Sequence, residues 1–240
     1  MSDTNVPSTA DAIDQLRAIG REFHARSWSL GTSSNYSVVV SRDPLELLIT
    51  ASGKDKSSLG RDDFVRVDAE GRVLDGSGRK SSAETLLHCL IASMVPAAGA
   101  VLHTHSVWAT ILSGSDLPRG SLRIEGFEML KGLEGITTHD TVVEVPIFAN
   151  TQDMRELAQR IRGQFATLDW TAARSPCHGF LLSKHGLYTW GRDLAEARRH
   201  IEIHEFLFEA VARARMLPAA TPPAPARDVA RHQLQQQQQQ

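Results

Sequence analysis

Cysteine is scarce in this chain of 240 residues, which has only Cys89 and Cys177. Two cysteines cannot form the set of disulfides that holds small secreted domains together, so a reducing compartment fits better. No apolar run approaches the roughly 20 residues that are needed to cross a bilayer. The N-terminus, MSDTNVPSTADAID, lacks the positive start and the apolar stretch of a secretory signal. We therefore expect a cytoplasmic protein with no membrane partner.

An excess of charge of either sign is also missing. The chain has 26 Lys and Arg residues against 28 Asp and Glu residues, which gives a formal net charge of −2. The basic residues are scattered, so we expect no nucleic-acid partner. A hydrophobic content of 41% is ordinary for a globular protein of this length.

Apolar residues follow helical and strand periods in alternation, which predicts an α/β or α+β fold with helices around central strands. We expect one domain over residues 1–217. The tail, residues 218–240, is rich in Pro, Ala and Gln, and we expect it to be disordered. Within the domain, FVRVD and GRVLD predict two strands that are joined by a turn.

The segment AVLHTHSVW, residues 100–108, is an apolar run that ends with two histidines. Side chains two positions apart in a strand share a face, so His103 and His105 can reach one metal ion. The alternative is that both merely hydrogen-bond water or backbone. In LLSKHGLYTWG, His185 ends a second apolar strand. Three imidazoles with one open position are typical of a catalytic zinc site, although cobalt, iron and nickel also accept imidazole.

The remaining histidines show weaker patterns. His200 and His204 are four residues apart on the predicted last helix, but no H-E-x-x-H pattern accompanies them. We expect these two on the helix surface. His88 lies on an apolar helix face, where we expect a half-buried residue whose hydrogen bonds are satisfied.

Small residues dominate two loops, GTSSNYS and ITASGKDKSS, that adjoin predicted strands. Such loops let backbone N–H groups approach an anion closely, and Lys54 and Lys56 add positive charge. A third segment, KSSAET, opens a helix whose N-terminus attracts anions. Together they predict a site for a phosphorylated small molecule, although each loop by itself could be a tight turn.

Two acidic positions have more than one interpretation. Glu84 completes the pattern Ser-x-x-Glu in SSAE, and a capping box would explain it without any chemistry. Glu84 could instead project toward the metal as a ligand or a base. Glu128, in RIEGFEMLKG, lies between the two histidine segments, where functional loops often occur. Glu125 is its rival, and most such glutamates are solvated.

Five segments, GTSSN, ITASG, SSAE, HTH and SKHG, occur in the order of the motifs of the class II aldolase/adducin superfamily. The chain resembles that superfamily over roughly residues 10–213. The resemblance implies a three-layer α/β/α fold around a mostly antiparallel central sheet, and a homotetramer with active sites near subunit boundaries. It also implies one Zn²⁺ per subunit, held by His103, His105 and His185.

Three further segments, FEMLKGLEG, VVEVPIFANT and KHGLYTWG, resemble the dehydratase branch of this superfamily. This implies removal of water from a phosphorylated ketose, 5-methylthioribulose 1-phosphate, to give 2,3-diketo-5-methylthiopentyl 1-phosphate in methionine salvage. Glu128 would be the catalytic acid/base, and Glu84 matches an acid near the metal in aldolase members. The positions that match contacts to substrate phosphate are Asn35, Ser52, Gly53 and Ser82.

Two other activities fit the same scaffold. A class II sugar-phosphate aldolase or a pentulose-phosphate 4-epimerase would use the same metal and phosphate sites. A non-catalytic interaction module, as in adducin, is the third interpretation. The histidine triad argues against it, because an interaction module has no need for three converging imidazoles.

Overall fold

A computed structural model describes residues 8–76, 78–172 and 174–218. One sheet of eight strands runs through its centre. The strands are β1 (Asn35–Arg42), β2 (Leu45–Thr50), β3 (Phe64–Asp68), β4 (Ala100–Thr104), β5 (Ser121–Glu125), β6 (Val142–Phe148), β7 (Gly179–Leu182) and β8 (Gly186–Gly191). Their order is β3-β2-β1-β4-β8-β7-β6-β5. Only the β6–β7 pair is parallel among the ladders of the described residues, which confirms the mostly antiparallel sheet.

Helices cover both faces of the sheet. The α-helices are α1 (Thr9–Ala25), α2 (Thr85–Met94), α3 (Val107–Asp116), α4 (Met154–Phe165) and α5 (Leu194–Met216), and Glu128–Gly132 forms a 3₁₀ turn. Side chains of α1, α3 and α5 share one apolar core with the sheet, while α2 and α4 pack on the opposite face. The predicted three-layer α/β/α architecture is confirmed.

Strand β4 lies near the middle of the sheet, which explains why its sequence is an uninterrupted apolar run. Ala100 and Leu102 pack into the core on the α5 side, and Val101 packs into the core on the α2 side. Because side chains alternate along a strand, His103 follows Val101 to the α2 side and Thr104 faces α5. Side chains on the two faces of β4 therefore lie in different layers, one next to α5 and the other next to α2.

Two sequence expectations are wrong. GRVLD does not form a second strand after β3. Among the described residues it joins β3 through an isolated bridge between Val67 and Val73, with backbone hydrogen bonds from the Asp68 N–H to the Arg72 carbonyl and from the Leu74 N–H to the Arg66 carbonyl. His200 and His204 are buried rather than on the helix surface. Because α5 packs directly on β8 and β4, the side that carries these histidines is covered, and His200 Nδ1 lies 2.7 Å from the Trp190 carbonyl oxygen.

The predicted tail, residues 218–240, lies outside the described residues except for Pro218. Its disorder and the domain boundary at residue 217 stay predictions. Among the helices that the structure describes, none combines the length and the apolar character needed to span a membrane. Cys89 and Cys177 are both buried free thiols.

Candidate metal centre and adjoining cavity

Three histidines meet where the end of β4 lies beside the start of β8. The two strands are antiparallel with Thr104 opposite Leu187, so His103 and His105 at the end of β4 lie close to His185 just before β8. The ring centroids are 4.5 Å apart for His103 and His105, 5.0 Å for His103 and His185, and 4.5 Å for His105 and His185. The sequence prediction that these three imidazoles converge is correct as geometry.

Glu84 joins the three histidines and does not cap a helix. Helix α2 begins at Thr85, and the Glu84 side chain makes no capping hydrogen bond. Its Oε1 atom lies 3.0 Å from His185 Nε2 and 3.8 Å from His103 Nε2. The capping-box interpretation is therefore wrong. A capping-box glutamate lies within the first helical turn, whereas Glu84 precedes that turn. One ligand atom from each of these four residues lies within 4.8 Å of the others.

The protonation states of His103 and His105 suit a metal ion. His103 Nδ1 lies 2.9 Å from the Leu187 carbonyl oxygen, which accepts its hydrogen and leaves a lone pair on Nε2. That Nε2 atom is buried and has no hydrogen-bond partner in the described part of the chain. Burial lowers the pKa of His103 well below its usual value and that of His105 to about 4. Neutral imidazoles with a nearby carboxylate are a donor set that divalent metals accept, so these residues could hold a metal ion.

A buried polar chain orients Glu84. Asn35 Nδ2 donates to Glu84 Oε2 at 2.7 Å, and Asn35 Oδ1 lies 2.7 Å from His88 Nε2. His88 Nδ1 in turn lies 2.8 Å from the Ser37 hydroxyl oxygen. Burial raises the pKa of Glu84, but hydrogen bonds from His185 and Asn35 outweigh it and hold that pKa below the usual value. The carboxylate is therefore ionised and fixed in direction.

This series of hydrogen bonds from Glu84 to Ser37 corrects the expected burial of His88 and refines the expected role of Asn35. His88 does have satisfied hydrogen bonds, as expected, but it is completely buried and supports Asn35. The Asn35 amide already bonds Glu84 and His88, which favours a role in orienting Glu84 over direct contact with phosphate. Nothing in the sequence indicates this link, since Asn35 and Glu84 are 49 positions apart.

A polar cavity of about 250 Å³ adjoins the histidine cluster, with Glu84 and His105 on its wall. All four residues that match phosphate contacts line it. Its other lining residues are small or basic, so the cavity suits an oxygen-rich anion. The full lining is Thr32, Ser33, Ser34, Asn35, Thr50, Ala51, Ser52, Gly53, Lys56, Ser82, Glu84 and His105.

The two lysines of the second loop have different environments. Lys56 is buried and lines the cavity, and its Nζ atom donates to the Lys54 carbonyl oxygen at 2.6 Å. Burial lowers the pKa of Lys56 to about 8, so it is largely protonated at pH 7. Lys54 instead forms an ion pair with Asp63 at 2.8 Å, and it does not line the cavity. Of the two, only Lys56 offers its charge to a ligand there.

Sequence reasoning did not single out Ser34 and Tyr188. Ser34 has a positive φ of 71° and a buried hydroxyl without a partner among the described residues, and it lines the cavity. Tyr188 stacks on His103 with ring centroids 3.9 Å apart. A serine is a common loop residue and a tyrosine a common strand residue, so neither position carries a sequence signal.

Glu128 does not join this site within one chain. Its side chain is 70% exposed, and it pairs with Lys131 Nζ at 2.6 Å and with His139 Nδ1 at 3.3 Å. It belongs neither to the four-residue cluster nor to the cavity lining. Its rival Glu125 is also exposed and pairs with Arg123. The structure therefore brings together every predicted site residue except Glu128, the predicted catalytic acid/base.

Comparison with known proteins decides the family. The family model described as "Class II Aldolase and Adducin N-terminal domain" matches residues 14–212. The chain belongs to the class II aldolase and adducin family. The resemblance that the five ordered motifs indicated is confirmed.

Two similar members of the class II aldolase and adducin family carry the same name. The chain is 46% identical over 195 residues to the methylthioribulose-1-phosphate dehydratase of Pseudomonas fluorescens, covering 81% of this chain and 89% of that protein. It is 46% identical over 210 residues to the Pseudomonas aeruginosa enzyme of the same name, covering 87% and 95%. The crystal structure of L-fuculose-1-phosphate aldolase from Thermus thermophilus shares the fold, with a TM-score of 0.66, 24% identity, and coverage of 87% and 97%.

Proposed function

We propose that this chain is a hydro-lyase of methionine salvage that removes water from 5-methylthioribulose 1-phosphate. The product is 2,3-diketo-5-methylthiopentyl 1-phosphate. Dehydratases named for this substrate share 46% of their residues with the chain over most of both lengths. The structural observation that carries the proposal is the cluster of three histidines and Glu84 on the wall of a polar cavity.

We propose Zn²⁺ as the metal, one ion per subunit, held by His103, His105 and His185. The neutral imidazoles of His103 and His105 and the buried, unpartnered Nε2 atom of His103 support this assignment. When bound, zinc supplies Lewis-acid stabilisation of the negative charge that develops on the substrate oxygens. The test is His185→Ala, for which we expect the purified protein to lose its zinc. Stoichiometric zinc in that variant would remove His185 from the ligand set.

The cavity loops bind the phosphate at the far end of the substrate. Backbone N–H groups around Gly53, the hydroxyls of Ser52 and Ser82, and the ammonium group of Lys56 are suited to phosphate oxygens. The phosphate does not react, so its binding energy serves to orient the reacting carbons. Ser34 is buried on the same cavity wall as Lys56, so its hydroxyl is also available to the phosphate.

Proton transfer requires a general acid–base group at the reacting carbons. In this proposal Glu128 takes the proton from C3 and a proton returns to the C4 hydroxyl as it leaves, after which the enol becomes the diketone. Glu84 is an ionised acid next to the metal ligands, held in place by Asn35. Glu128 lies outside the cavity of its own chain, so we propose that it serves the site of a neighbouring subunit in the predicted homotetramer.

The assay that tests the activity uses the purified, zinc-loaded protein with 5-methylthioribulose 1-phosphate. We expect the diketone to form and no aldehyde to be released. An aldehyde product would indicate the aldolase alternative, because that reaction breaks a C–C bond. An isomeric ketose phosphate would indicate the epimerase. The cytoplasmic location and the tetramer stay predictions from the sequence.

A further inference from the structure

A buried glutamate that the proposed chemistry does not use lies on helix α5. Glu205 is only 2% exposed, and its neighbours Ile201 and Phe208 belong to the apolar core on that side of the sheet. Burial raises the pKa of Glu205 to about 7, against the opposing effect of the Ser106 and Thr104 hydroxyls. Burying a carboxyl group is costly in free energy. The few polar contacts of Glu205 therefore indicate which residues it holds in place.

Glu205 forms a hydrogen bond with the residue that lies between two proposed metal ligands in the sequence. Glu205 Oε1 accepts a hydrogen bond from Thr104 Oγ1 at 3.1 Å, and its Oε2 atom has no hydrogen-bond partner in the described residues. Thr104 is the residue between His103 and His105. Because side chains alternate, it faces α5 while His103 faces the metal centre. Glu205 thus holds the end of β4 from the side opposite the ligands.

The same polar network reaches the third histidine. Ser106 caps helix α3 by accepting from the Ala109 N–H at 3.1 Å. One turn later, the Thr110 hydroxyl lies 2.8 Å from the Ser106 carbonyl oxygen and 3.1 Å from the His185 carbonyl oxygen. The first turn of α3 therefore connects the segment after His105 to the segment that carries His185.

We propose that Glu205 is a positioning residue that fixes the strand end presenting His103 and His105, through its hydrogen bond with Thr104. It contacts neither metal nor substrate. The inference depends on the proposed metal centre, because positioning matters only if the imidazoles hold an ion. Residues that orient metal ligands typically change metal affinity by about 10- to 100-fold when they are removed.

The experiment measures zinc affinity by chelator competition and the visible absorption spectrum of the Co²⁺-substituted protein. We expect Thr104→Val and Glu205→Leu each to weaken zinc binding about 10- to 100-fold and to change the Co²⁺ spectrum. Glu205→Gln should stay close to the unsubstituted protein, since its amide oxygen accepts the same bond. The double variant Thr104→Val/Glu205→Leu should lose no more than either single variant, because both remove one interaction.

Glu209→Gln is the matched control, since Glu209 lies one turn further along α5 with a 44% exposed side chain paired to Arg213. We expect no change in its zinc affinity. Thermal unfolding of the metal-free proteins separates positioning from a purely structural role. If Thr104→Val and Glu205→Leu unfold at lower temperature but bind zinc normally, the inference is overturned. If Glu205→Leu does not fold, the zinc affinity of Thr104→Val decides the question by itself.

Failure of this inference can be told apart from failure of the proposed function. An unsubstituted protein that binds no zinc overturns both the metal centre and the role of Glu205. A protein that binds zinc but does not dehydrate the substrate overturns the activity alone, and the zinc affinities of the variants still decide the role of Glu205.

Discussion

At the scale of single residues, burial controls the charge of the candidate site. His103 and His105 are neutral because desolvation disfavours their cationic forms, while Glu84 stays ionised because Asn35 and His185 donate to it. A neutral imidazole keeps the lone pair that a metal needs, and an ionised carboxylate can accept a proton or a metal. Without burial and these hydrogen bonds, the four side chains would not keep these charge states.

Substitution of Glu84 tests whether this glutamate takes part in catalysis or only supports the site structurally. We expect Glu84→Gln to retain zinc, because the three imidazoles remain, and to lose turnover by about 10²–10⁴-fold, the range for general acid–base groups. The measurement is diketone formation together with zinc content. A glutamate that only holds Asn35 and His185 in place would behave differently, because its loss would lower the unfolding free energy and leave turnover unchanged. That second outcome would return Glu84 to a structural role.

At the scale of secondary-structure elements, the close approach of β4 and β8 brings the ligands together. Gly186 begins β8, and a Cβ atom there would lie 1.9 Å from the Thr104 carbonyl oxygen and 3.2 Å from a ring carbon of His103. A side chain at this position cannot fit unless the strands separate. The glycine after His185 is thus needed for the close packing of β8 against β4.

We expect Gly186→Ala to weaken zinc binding and to lower the unfolding temperature, because β8 must move away from β4 and carry His185 with it. Gly163→Ala is the control. Gly163 lies in helix α4 with no atom near its Cβ position, so alanine should stabilise that helix by about 0.5–1 kcal/mol. Zinc affinity and thermal unfolding check both variants. Normal zinc affinity in Gly186→Ala would show that the strand spacing does not control the site.

At the scale of the whole molecule, the exposed position of Glu128 makes the assembly part of the proposed mechanism. We expect Glu128→Gln and His185→Ala each to be inactive and their mixed oligomers to recover activity. In a cyclic tetramer formed at equal ratio, about one site in four would combine an intact triad with Glu128 from its neighbour. Diketone formation after co-refolding or co-expression measures the recovery. No recovery in demonstrated mixed oligomers would exclude catalysis by Glu128 across subunits.

Buried histidines away from the cluster predict how stability depends on pH. Burial lowers the pKa of His88 and of His178 to about 4, and that of His204 to about 3. Their contribution to stability is present above the unfolded pKa of about 6.5 and is lost as the pH falls toward 4. We expect the unfolding free energy to fall by up to about 1.4 kcal/mol per pH unit for each such histidine.

Denaturant unfolding of the metal-free protein between pH 7 and pH 4.5 measures this slope. Glu205 acts in the opposite direction, because its raised pKa of about 7 removes stability as the pH rises above 4.5. A flat profile over this range would mean that the buried histidines are not kept neutral by the fold.

The sequence by itself determined the features that depend on local order along the chain. Alternation in AVLHTH put two imidazoles on one face, and five motifs in order identified the family and its three-layer fold. His185 could be added because strand–His–Gly is a local pattern. These inferences succeed because side-chain direction in a strand and turn chemistry are decided by neighbouring residues.

Only the tertiary structure decided which groups share an environment. Glu84 does not act as a helix cap, because its carboxylate instead accepts hydrogen bonds from Asn35, 49 positions away, and from His185. His200 and His204 became core residues because α5 packs on β8, and Glu128 proved to be exposed. Burial and hydrogen bonding between distant segments are properties of the packed chain, so no local pattern in the sequence reports them.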